Sequence, residues 1–216
     1  SGSTAGVVAG INWMISHHVA GVPAVANMSL GGSYDLAIND AVTRAVADGI
    51  TMVVASGNES TDACTKSPAS APAAITVGAT SNSDSRAYYS NVGACVDIFA
   101  PGSSITSASI SGSTATALMS GTSMASPHVA GVAALILGNA RSLTPAQVGA
   151  QLSADATVGV VTGVDSATVN ALLYQRVSSA ASGAAIEIQD PGIGRSTNTD
   201  EEASSTIDYG NDPEPS

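Results

Sequence analysis

Short apolar runs of strand length alternate along the chain with segments whose apolar residues recur at helical spacing. The runs cover residues 25–30, 50–55, 74–79 and 96–100. Helical spacing is found in residues 7–15, in residues 36–48 and in residues 122–137. This alternation predicts an α/β fold with a mainly parallel central sheet.

The first two predicted strands both end in loops that contain glycine. Gly31 and Gly32 follow the first strand, and Ser56, Gly57 and Asn58 follow the second. Open α/β sheets bind their ligands at the carboxyl ends of the strands. We therefore expect a binding site at this edge of the sheet.

The predicted helix that starts near Thr122 contains no charged residue before Leu137. Because a helix that is apolar on all faces is typically buried, we expect this helix to lie in the core. Ser123 stands at its amino end, where the helix dipole and unpaired N–H groups would stabilise a developing oxyanion, so this serine is a candidate nucleophile. The alternative on local grounds is a serine that caps the helix.

Charge and composition exclude several classes of protein. The 216 residues include 6 Lys and Arg against 17 Asp and Glu, and this net charge of -11 leaves no basic face for nucleic acid. The longest apolar run, near residues 129–137, is far shorter than the ~20 residues that a membrane span needs, so we expect no membrane partner. Neither a glycine-rich phosphate fingerprint nor a G-x-S-x-G motif nor a zinc-ligand spacing occurs.

Charge also divides the chain into two parts. Residues 1–177 carry nine acidic and five basic side chains, whereas residues 178–216 carry eight acidic side chains against Arg195 alone. The second part has few large apolar residues and cannot bury enough surface to offset the entropy of ordering it. We expect a globular domain at 1–177 and an acidic, disordered tail or linker at 178–216.

Residues 121–131 resemble the nucleophile signature of the subtilisin-like serine proteases, with Ser126 where threonine is more usual; they read Gly-Thr-Ser-Met-Ala-Ser-Pro-His-Val-Ala-Gly. Residues 28–32 resemble the substrate-binding strand end of that family, residues 55–58 its oxyanion-hole loop, and residues 90–102 its later sheet strand and turn. These matches run in one order through the predicted globular domain. They are most similar to the proteinase K and aqualysin branch, whose members are extracellular.

The resemblance implies a three-layer fold and a secreted serine endopeptidase that hydrolyses polypeptides through an acyl-enzyme. Ser123 would be the nucleophile, and the amide of Asn58, which could otherwise be a simple turn residue, would donate to the oxyanion. The walls of the S1 pocket, which binds the substrate residue before the cleaved bond (P1), would be Ser29, Leu30, Gly31, Ala55, Ser56 and Gly57. Because these walls contain no acidic side chain, we expect cleavage after apolar or aromatic residues.

The chain order of the family's catalytic residues is Asp, His, Ser, and this sequence begins after the first two. We therefore expect residues 1–177 to be the carboxyl-terminal two-thirds of a catalytic domain, inert without an amino-terminal segment that supplies the Asp and His. His17 and His18 end the first helix at the surface, and His128 belongs to the buried helix, so none is expected to act as the base. The alternative function is a non-catalytic pseudoprotease or binding module.

The resemblance also implies two stabilising features. The first is a Cys64–Cys95 disulfide, for which two free buried thiols are the alternative. The second is a structural calcium ion held by Asp97 and by the backbone carbonyls at Pro72 and Ala74. Asp97 interrupts an apolar strand, where a buried carboxylate needs either a cation or several N–H donors.

Overall fold

A computed structural model describes residues 2–176, so the predicted tail at 178–216 lies outside the described residues. The helices in this part of the chain are α1 Thr4–His17, α2 Leu36–Ala47, α3 Thr122–Asn139 and α4 Pro145–Asp155. The strands are β1 Ala24–Met28, β2 Gly32–Ser33, β3 Ile50–Ala55, β4 Lys66–Ser67, β5 Ile75–Thr80, β6 Ile98–Pro101, β7 Ile105–Ala108, β8 Thr116–Met119, β9 Thr157–Val158 and β10 Ala171–Leu172. Every predicted strand and helix corresponds to one of these elements.

The central sheet has the strand order β1-β3-β5-β6-β10-β9. Strands β1, β3, β5, β6 and β10 run parallel to one another, and β9 pairs antiparallel with β10 at the edge. In the first pair, Met28 of β1 lies opposite Val54 of β3. The prediction of a mainly parallel sheet is confirmed.

Helices cover both faces of this sheet, and each face has its own apolar core. Successive side chains of a strand point to opposite faces. In β3, Val53 packs in the core under α3 and α4, whereas Met52 and Val54 pack in the core under α1 and α2. All three residues are fully buried, so the fold is a three-layer α/β fold as the resemblance implies.

The helix boundaries follow from residues that satisfy the terminal backbone groups. Ser3 caps α1 by accepting a hydrogen bond from the N–H of Gly6, and Asp35 caps α2 in the same way. Gly49, with φ of +102°, ends α2 in the left-handed region that favours glycine. Thr144 and Gln147 form a reciprocal capping box at the start of α4, a helix that the hydrophobic pattern does not reveal.

Helix α3 is not buried on all sides, and here the sequence-based prediction is wrong. Ala125, Val129, Ala133 and Leu137 face the sheet and are buried, but the opposite side, which includes Leu135, is exposed. The lack of charged residues in α3 could not show that, among the described residues, only its sheet-facing side is covered. None of the helices within residues 2–176 combines the length and hydropathy that crossing a membrane requires.

Candidate active site

A cleft opens at the carboxyl ends of β1 and β3, beside the amino end of α3. Parallel neighbouring strands end at the same edge of a sheet, so the loops that follow β1 and β3 form opposite walls. The lining residues are Leu30, Gly31, Gly32, Ala55, Ser56, Gly57, Asn58, Glu59, Lys66, Ser67, Ala69, Thr122 and Ser123. The structure therefore brings the predicted nucleophile, the predicted oxyanion donor and five of the six predicted wall residues together in one place, with Ser29 outside the lining.

Ser123 is the second residue of α3 and does not cap the helix. The N-cap is Gly121, which has no side-chain hydrogen bond, so the capping alternative is wrong. The Ser123 side chain is half-buried, and its hydroxyl donates to the carbonyl oxygen of Ser29 at 3.3 Å. The first N–H groups of a helix have no partners within the helix, so the backbone N–H of Ser123 is positioned to bind an anion beside its own hydroxyl.

Thr122 holds the side-chain oxygen of Asn58 with two hydrogen bonds. The backbone N–H of Thr122 donates to Asn58 Oδ1 at 2.8 Å, and the Thr122 hydroxyl donates to the same atom at 2.9 Å. Because a backbone N–H can only donate, the oxygen of the Asn58 amide must face Thr122. The amide nitrogen of Asn58 is then directed away from Thr122 as a fixed donor.

Three side chains connect the end of β1 with the first turn of α3. The Ser29 hydroxyl donates to the backbone carbonyl of Ser123 at 2.7 Å, and Asn27 Nδ2 donates to Ser29 Oγ at 2.9 Å. The hydroxyl of Ser126 donates to Asn27 Oδ1. Ser29 thus supports the backbone of Ser123 instead of lining the cleft. In the sequence, Asn27 stands out as a polar residue within an apolar run.

Asn91 fixes the loop that carries Asn58. Its fully buried side chain donates to the carbonyl of Ser56 and to the carboxylate of Glu59, both at 2.8 Å. Its oxygen accepts from the N–H groups of Glu59 and Thr61 at 3.1 and 3.0 Å. Gly57 has a φ of +103°, and a Cβ there would collide with Asn91 Nδ2, so this turn requires glycine.

Two charged side chains, Glu59 and Lys66, line the cleft in addition to the predicted walls, which themselves hold no acidic group. Lys66 Nζ lies 3.5 Å from Glu59 Oε1. Partial burial disfavours the charged form of Glu59, but the hydrogen bond from Asn91 and the charge of Lys66 outweigh it and lower the pKa of this carboxyl. Sequence reasoning missed the pair because Lys66 belongs to β4, a strand of two residues.

Within residues 2–176, no histidine hydrogen-bonds to Ser123. His17 Nδ1 lies 2.8 Å from the carbonyl oxygen of Trp13, and His18 Nδ1 lies 2.7 Å from Asp48 Oδ2. His128 is exposed instead of buried, with Nδ1 2.8 Å from the carbonyl oxygen of Met124. It borders a groove next to Ser123. The described residues thus bring the Ser123 hydroxyl into one cleft with the N–H donors of Asn58 and of the Ser123 backbone. Within residues 2–176, no histidine is bonded to that hydroxyl to act as its base.

The three residues expected to bind calcium lie around one crevice on another part of the molecule. Pro72, Ala74 and Asp97 all line it, and Asp97 Oδ2 accepts from the N–H of Thr76 at 2.7 Å. Asp97 precedes β6 and is exposed, so the expectation of a buried strand residue is wrong. Neighbouring atoms nevertheless desolvate its carboxyl and raise the pKa, against the effect of the Thr76 bond.

A calcium ion in this crevice would depend on backbone oxygens. Among residues 2–176, no three His, Cys, Asp or Glu side chains form a cluster that could hold a metal. One carboxylate with carbonyl oxygens is a set of hard oxygen ligands, which suits calcium better than a transition metal.

The disulfide between Cys64 and Cys95 is confirmed, with a sulfur–sulfur distance of 2.10 Å. It joins the segment after the Asn58 loop to the segment before β6. The alternative of two free thiols is therefore wrong.

Comparison with known proteins places the chain in a family. Residues 1–184 match the model of the Subtilase family, peptidase S8. The chain is 52% identical over 174 residues to an extracellular serine proteinase of Thermus sp. strain Rt41A, a match that covers 81% of this chain and 42% of that protein. It is 49% identical over 174 residues to the alkaline serine exoprotease A of Vibrio alginolyticus, covering 81% of this chain and 32% of the relative.

A solved structure agrees with these matches. A cold-adapted subtilisin-like serine proteinase superposes with a TM-score of 0.78 and 46% identity, over 82% of this chain and 63% of that one. The chain thus spans less than half the length of the two curated relatives. The family match, the relatives and the shared fold together show that this chain belongs to the subtilase family.

Proposed function

We propose that this chain is the nucleophile-bearing part of a secreted serine endopeptidase that cleaves polypeptides through an acyl-enzyme. The observation that carries the proposal is the pairing of Ser123, at the amino end of α3, with an Asn58 amide held by Thr122. Membership in the subtilase family supports the same chemistry. Secretion is supported by the Cys64–Cys95 disulfide and by the extracellular relative from Thermus.

The proposed reaction begins with attack of Ser123 Oγ on the carbonyl carbon of the substrate. The carbonyl oxygen becomes an oxyanion that accepts hydrogen bonds from Asn58 Nδ2 and from the backbone N–H of Ser123. Collapse of this tetrahedral intermediate breaks the C–N bond, releases the amine as its nitrogen takes up the proton from Ser123 Oγ, and leaves an ester on Ser123. Water then attacks the ester, which releases the acid and restores the serine hydroxyl.

A base must accept the proton of Ser123 Oγ and later deliver it to the leaving amine. An unassisted serine hydroxyl is a weak nucleophile at neutral pH. We propose that a histidine and an aspartate on a preceding segment of the protein supply this function. The proposal is supported by the greater length of the relatives and by the absence, within residues 2–176, of a histidine bonded to Ser123.

The proposed substrates are polypeptides with an uncharged, apolar or aromatic P1 residue. The facing walls at residues 30–32 and 55–57 are made of backbone and small or apolar side chains, which supports this preference. A structural calcium ion at Asp97 completes the proposal, supported by the desolvated carboxylate beside Pro72 and Ala74.

Covalent labelling with a fluorophosphonate serine probe tests the proposed chemistry. We compare the 216-residue chain, a longer chain that includes the preceding Asp- and His-bearing segment, and the longer chain with Ser123→Ala. We expect labelling only in the longer chain with Ser123 intact. Labelling of the 216-residue chain at Ser123 would place a base within these residues, with His128 as the first candidate. A folded longer chain that stays unlabelled would favour the pseudoprotease.

A further inference from the structure

Pro127 removes one hydrogen bond from the first turns of α3. In a helix, the N–H of each residue donates to the carbonyl four residues earlier, so the carbonyl of Ser123 would pair with the N–H of residue 127. Pro127 lies inside α3, has no N–H, and crowds the carbonyl four residues before it. The helix therefore leaves the carbonyl of the proposed nucleophile without its usual donor.

The hydroxyl of Ser29 supplies the donor that Pro127 lacks. It donates to the carbonyl oxygen of Ser123 at 2.7 Å, and because a carbonyl can only accept, the proton of Ser29 is committed to this bond. In return, the hydroxyl of Ser123 donates to the carbonyl oxygen of Ser29 at 3.3 Å. Two residues that are 94 positions apart in the sequence thus hold each other by a reciprocal pair of bonds.

Asn27 fixes the direction of this contact. It lies opposite Val53, whose side chain packs under α3, so the side chain of Asn27 points to the same face of the sheet. Since the Ser29 hydroxyl already donates to Ser123, it can only accept from Asn27, whose Nδ2 lies 2.9 Å away. The amide oxygen of Asn27 then accepts from the fully buried hydroxyl of Ser126.

These three bonds form a relay in which each hydrogen bond has one possible direction. The relay runs from the Ser126 hydroxyl through Asn27 and the Ser29 hydroxyl to the Ser123 carbonyl. Both of its ends lie in the first two turns of α3, and its middle lies at the end of β1. The backbone of Ser123 is therefore held from the sheet as well as from its own helix.

We infer that Asn27 is a positioning residue for Ser123, which acts through the Ser29 hydroxyl, and that the relay replaces the helical hydrogen bond that Pro127 cannot make. The inference rests on the proposed function, because it takes Ser123 to be the nucleophile and its N–H to be an oxyanion donor. A small displacement of these groups weakens the binding of the transition state more than the binding of the substrate. Loss of the relay should therefore lower kcat and leave KM nearly unchanged.

Kinetics of the longer chain, which includes the preceding segment, test this role. Ser29→Ala removes the donor. Asn27→Asp keeps the shape but offers only acceptor oxygens, so the Ser29 hydroxyl turns to the carboxylate and leaves the Ser123 carbonyl. We expect each substitution to lower kcat at least about fivefold, with KM within about twofold of its unsubstituted value. The value of kcat is taken at the plateau of its pH profile, because a new carboxylate shifts the pKa of a nearby base.

The double variant controls for the charge that Asn27→Asp introduces. If both substitutions break the same bond, Asn27→Asp should lower kcat less than about twofold in a Ser29→Ala background. If the charge itself were responsible, the loss would be as large in that background as in the unsubstituted protein. Additive losses would therefore overturn the relay.

Pro127→Ala tests why the relay is needed. An alanine at this position has an N–H that can donate to the Ser123 carbonyl within the helix, so that this carbonyl depends less on Ser29. In the Pro127→Ala background we expect Ser29→Ala to lower kcat less than about twofold. An equal loss with and without the proline would overturn the inference that the relay replaces a helical bond.

Hydrogen–deuterium exchange at Met124 gives a measurement that needs no turnover. Its N–H belongs to the same peptide unit as the Ser123 carbonyl and donates to the carbonyl of Gly121 at 3.0 Å. In Ser29→Ala and in Asn27→Asp, we expect this N–H to exchange at least about tenfold faster. The N–H of Val148, which donates to the carbonyl of Thr144 in α4, is the control and should exchange as before.

The two measurements separate the relay from the proposed chemistry. If Met124 alone exchanges faster while even the unsubstituted longer chain cleaves no peptide, the relay holds the backbone of Ser123 and the endopeptidase proposal fails. If peptides are cleaved but kcat changes less than about twofold in both single variants, Asn27 does not position Ser123 and the inference is overturned. Exchange that is unchanged at Met124, or that rises equally at Val148, would overturn it as well.

Discussion

At the scale of single residues, Thr122 controls where the amide of Asn58 points. Its fully buried hydroxyl donates to Asn58 Oδ1 at 2.9 Å and accepts from the N–H of Gly57 at 3.2 Å. Thr122→Val keeps the shape and the backbone bond but removes both hydroxyl bonds. Under the proposed function, we expect kcat of the longer chain with the preceding segment to fall about tenfold with little change in KM, less than the ~10²–10³ known from a subtilisin for loss of a whole oxyanion donor.

Thr122→Ser is the matched control, because it keeps the hydroxyl and loses only a methyl group. It should retain most of the kcat. Equal losses in the serine and valine variants would show that packing at Thr122, and not its hydroxyl, matters for turnover.

The ring of His18 bridges two acceptors. His18 Nδ1 lies 2.7 Å from Asp48 Oδ2, His18 Nε2 lies 2.8 Å from the carbonyl oxygen of Val22, and the side chain is only 7% exposed. Only the doubly protonated ring can donate to both atoms. The Val22 carbonyl, helped by Asp48, outweighs desolvation and raises the pKa of His18.

A raised pKa in the folded state gives stability that is complete below the unfolded pKa of about 6.5 and is lost as pH rises through the folded pKa. We therefore expect the free energy of unfolding, measured by urea titration from about pH 5 to about pH 9, to fall across that window. His18→Gln should reduce this slope. His17→Gln, which alters a ring bonded only within α1, should leave the slope as it is. An unchanged slope in His18→Gln would refute the bridge.

The sequence predicts the site residues that lie in recognisable motifs, but not the residues that hold those site residues in position. Ser123 and Asn58 lie in recognisable local motifs, and the structure places both at the cleft. Thr122 and Asn58 are 64 residues apart, and Asn91 and Glu59 are 32 residues apart. Their roles depend on contacts between separate segments, which hydrophobic patterning does not encode.

At the scale of elements, the long periodic segments were predictable and the short or one-sided ones were not. Strand β3 occupies the predicted residues, because its six side chains are all buried and apolar except Thr51. Strands of two residues, such as β2 and β4, are too short to produce a pattern. Helix α3 was placed correctly, but its apolar outer side gave no sign of being exposed.

Two leucines of α3 test which side of this helix supports the fold. Leu137 is 5% exposed and belongs to the core that also holds Val148 and Leu152 of α4, whereas Leu135 is 43% exposed. In the 216-residue chain, Leu137→Ala should lower the free energy of unfolding by roughly 2–5 kcal/mol. Leu135→Ala should change it by no more than about 0.5 kcal/mol.

The two substitutions are chemically identical and lie on one helix, so the helix propensity of alanine affects both in the same way. Chemical denaturation of both variants gives the comparison. Similar losses at both positions would mean that the outer side of α3 is covered in the 216-residue chain. If Leu135→Ala lowers the free energy of unfolding more in a longer chain than in the 216-residue chain, the added residues pack against the outer side of α3.

At the scale of the whole molecule, the cleft is assembled by the parallel sheet. The loops at the adjacent carboxyl ends of β1 and β3 supply the two walls. Helix α3 packs against both strands, and its amino end lies at these loops. The Asn58 loop is tied to later parts of the chain by Asn91 and by the Cys64–Cys95 disulfide. Strand order alone predicts the location of the cleft, but the charge and the hydrogen bonds of the cleft depend on contacts with later segments of the chain.

The crevice at Asp97 lies between layers on both faces of the sheet. It is lined by Val46 of α2, Ile98 of β6 and Leu152 of α4 as well as by Pro72, Ala74 and Asp97. An ion held there would stabilise the folded chain as a whole, by about 2.7 kcal/mol at a concentration one hundred times its Kd. We expect a higher Tm in calcium than in chelator.

Asp97→Asn tests the site with the least change of shape. An asparagine oxygen can still accept the Thr76 N–H, which is 2.7 Å from Asp97 Oδ2, but it brings no charge to a cation. The calcium-dependent rise in Tm should therefore disappear in this variant, whereas Asp84→Asn, at an exposed aspartate elsewhere, should keep it. Magnesium should substitute poorly, because it demands octahedral geometry and keeps its water ligands. A Tm that is the same in calcium and in chelator, or a calcium response that survives in Asp97→Asn, would mean that Asp97 holds no ion and is satisfied by the backbone of β5.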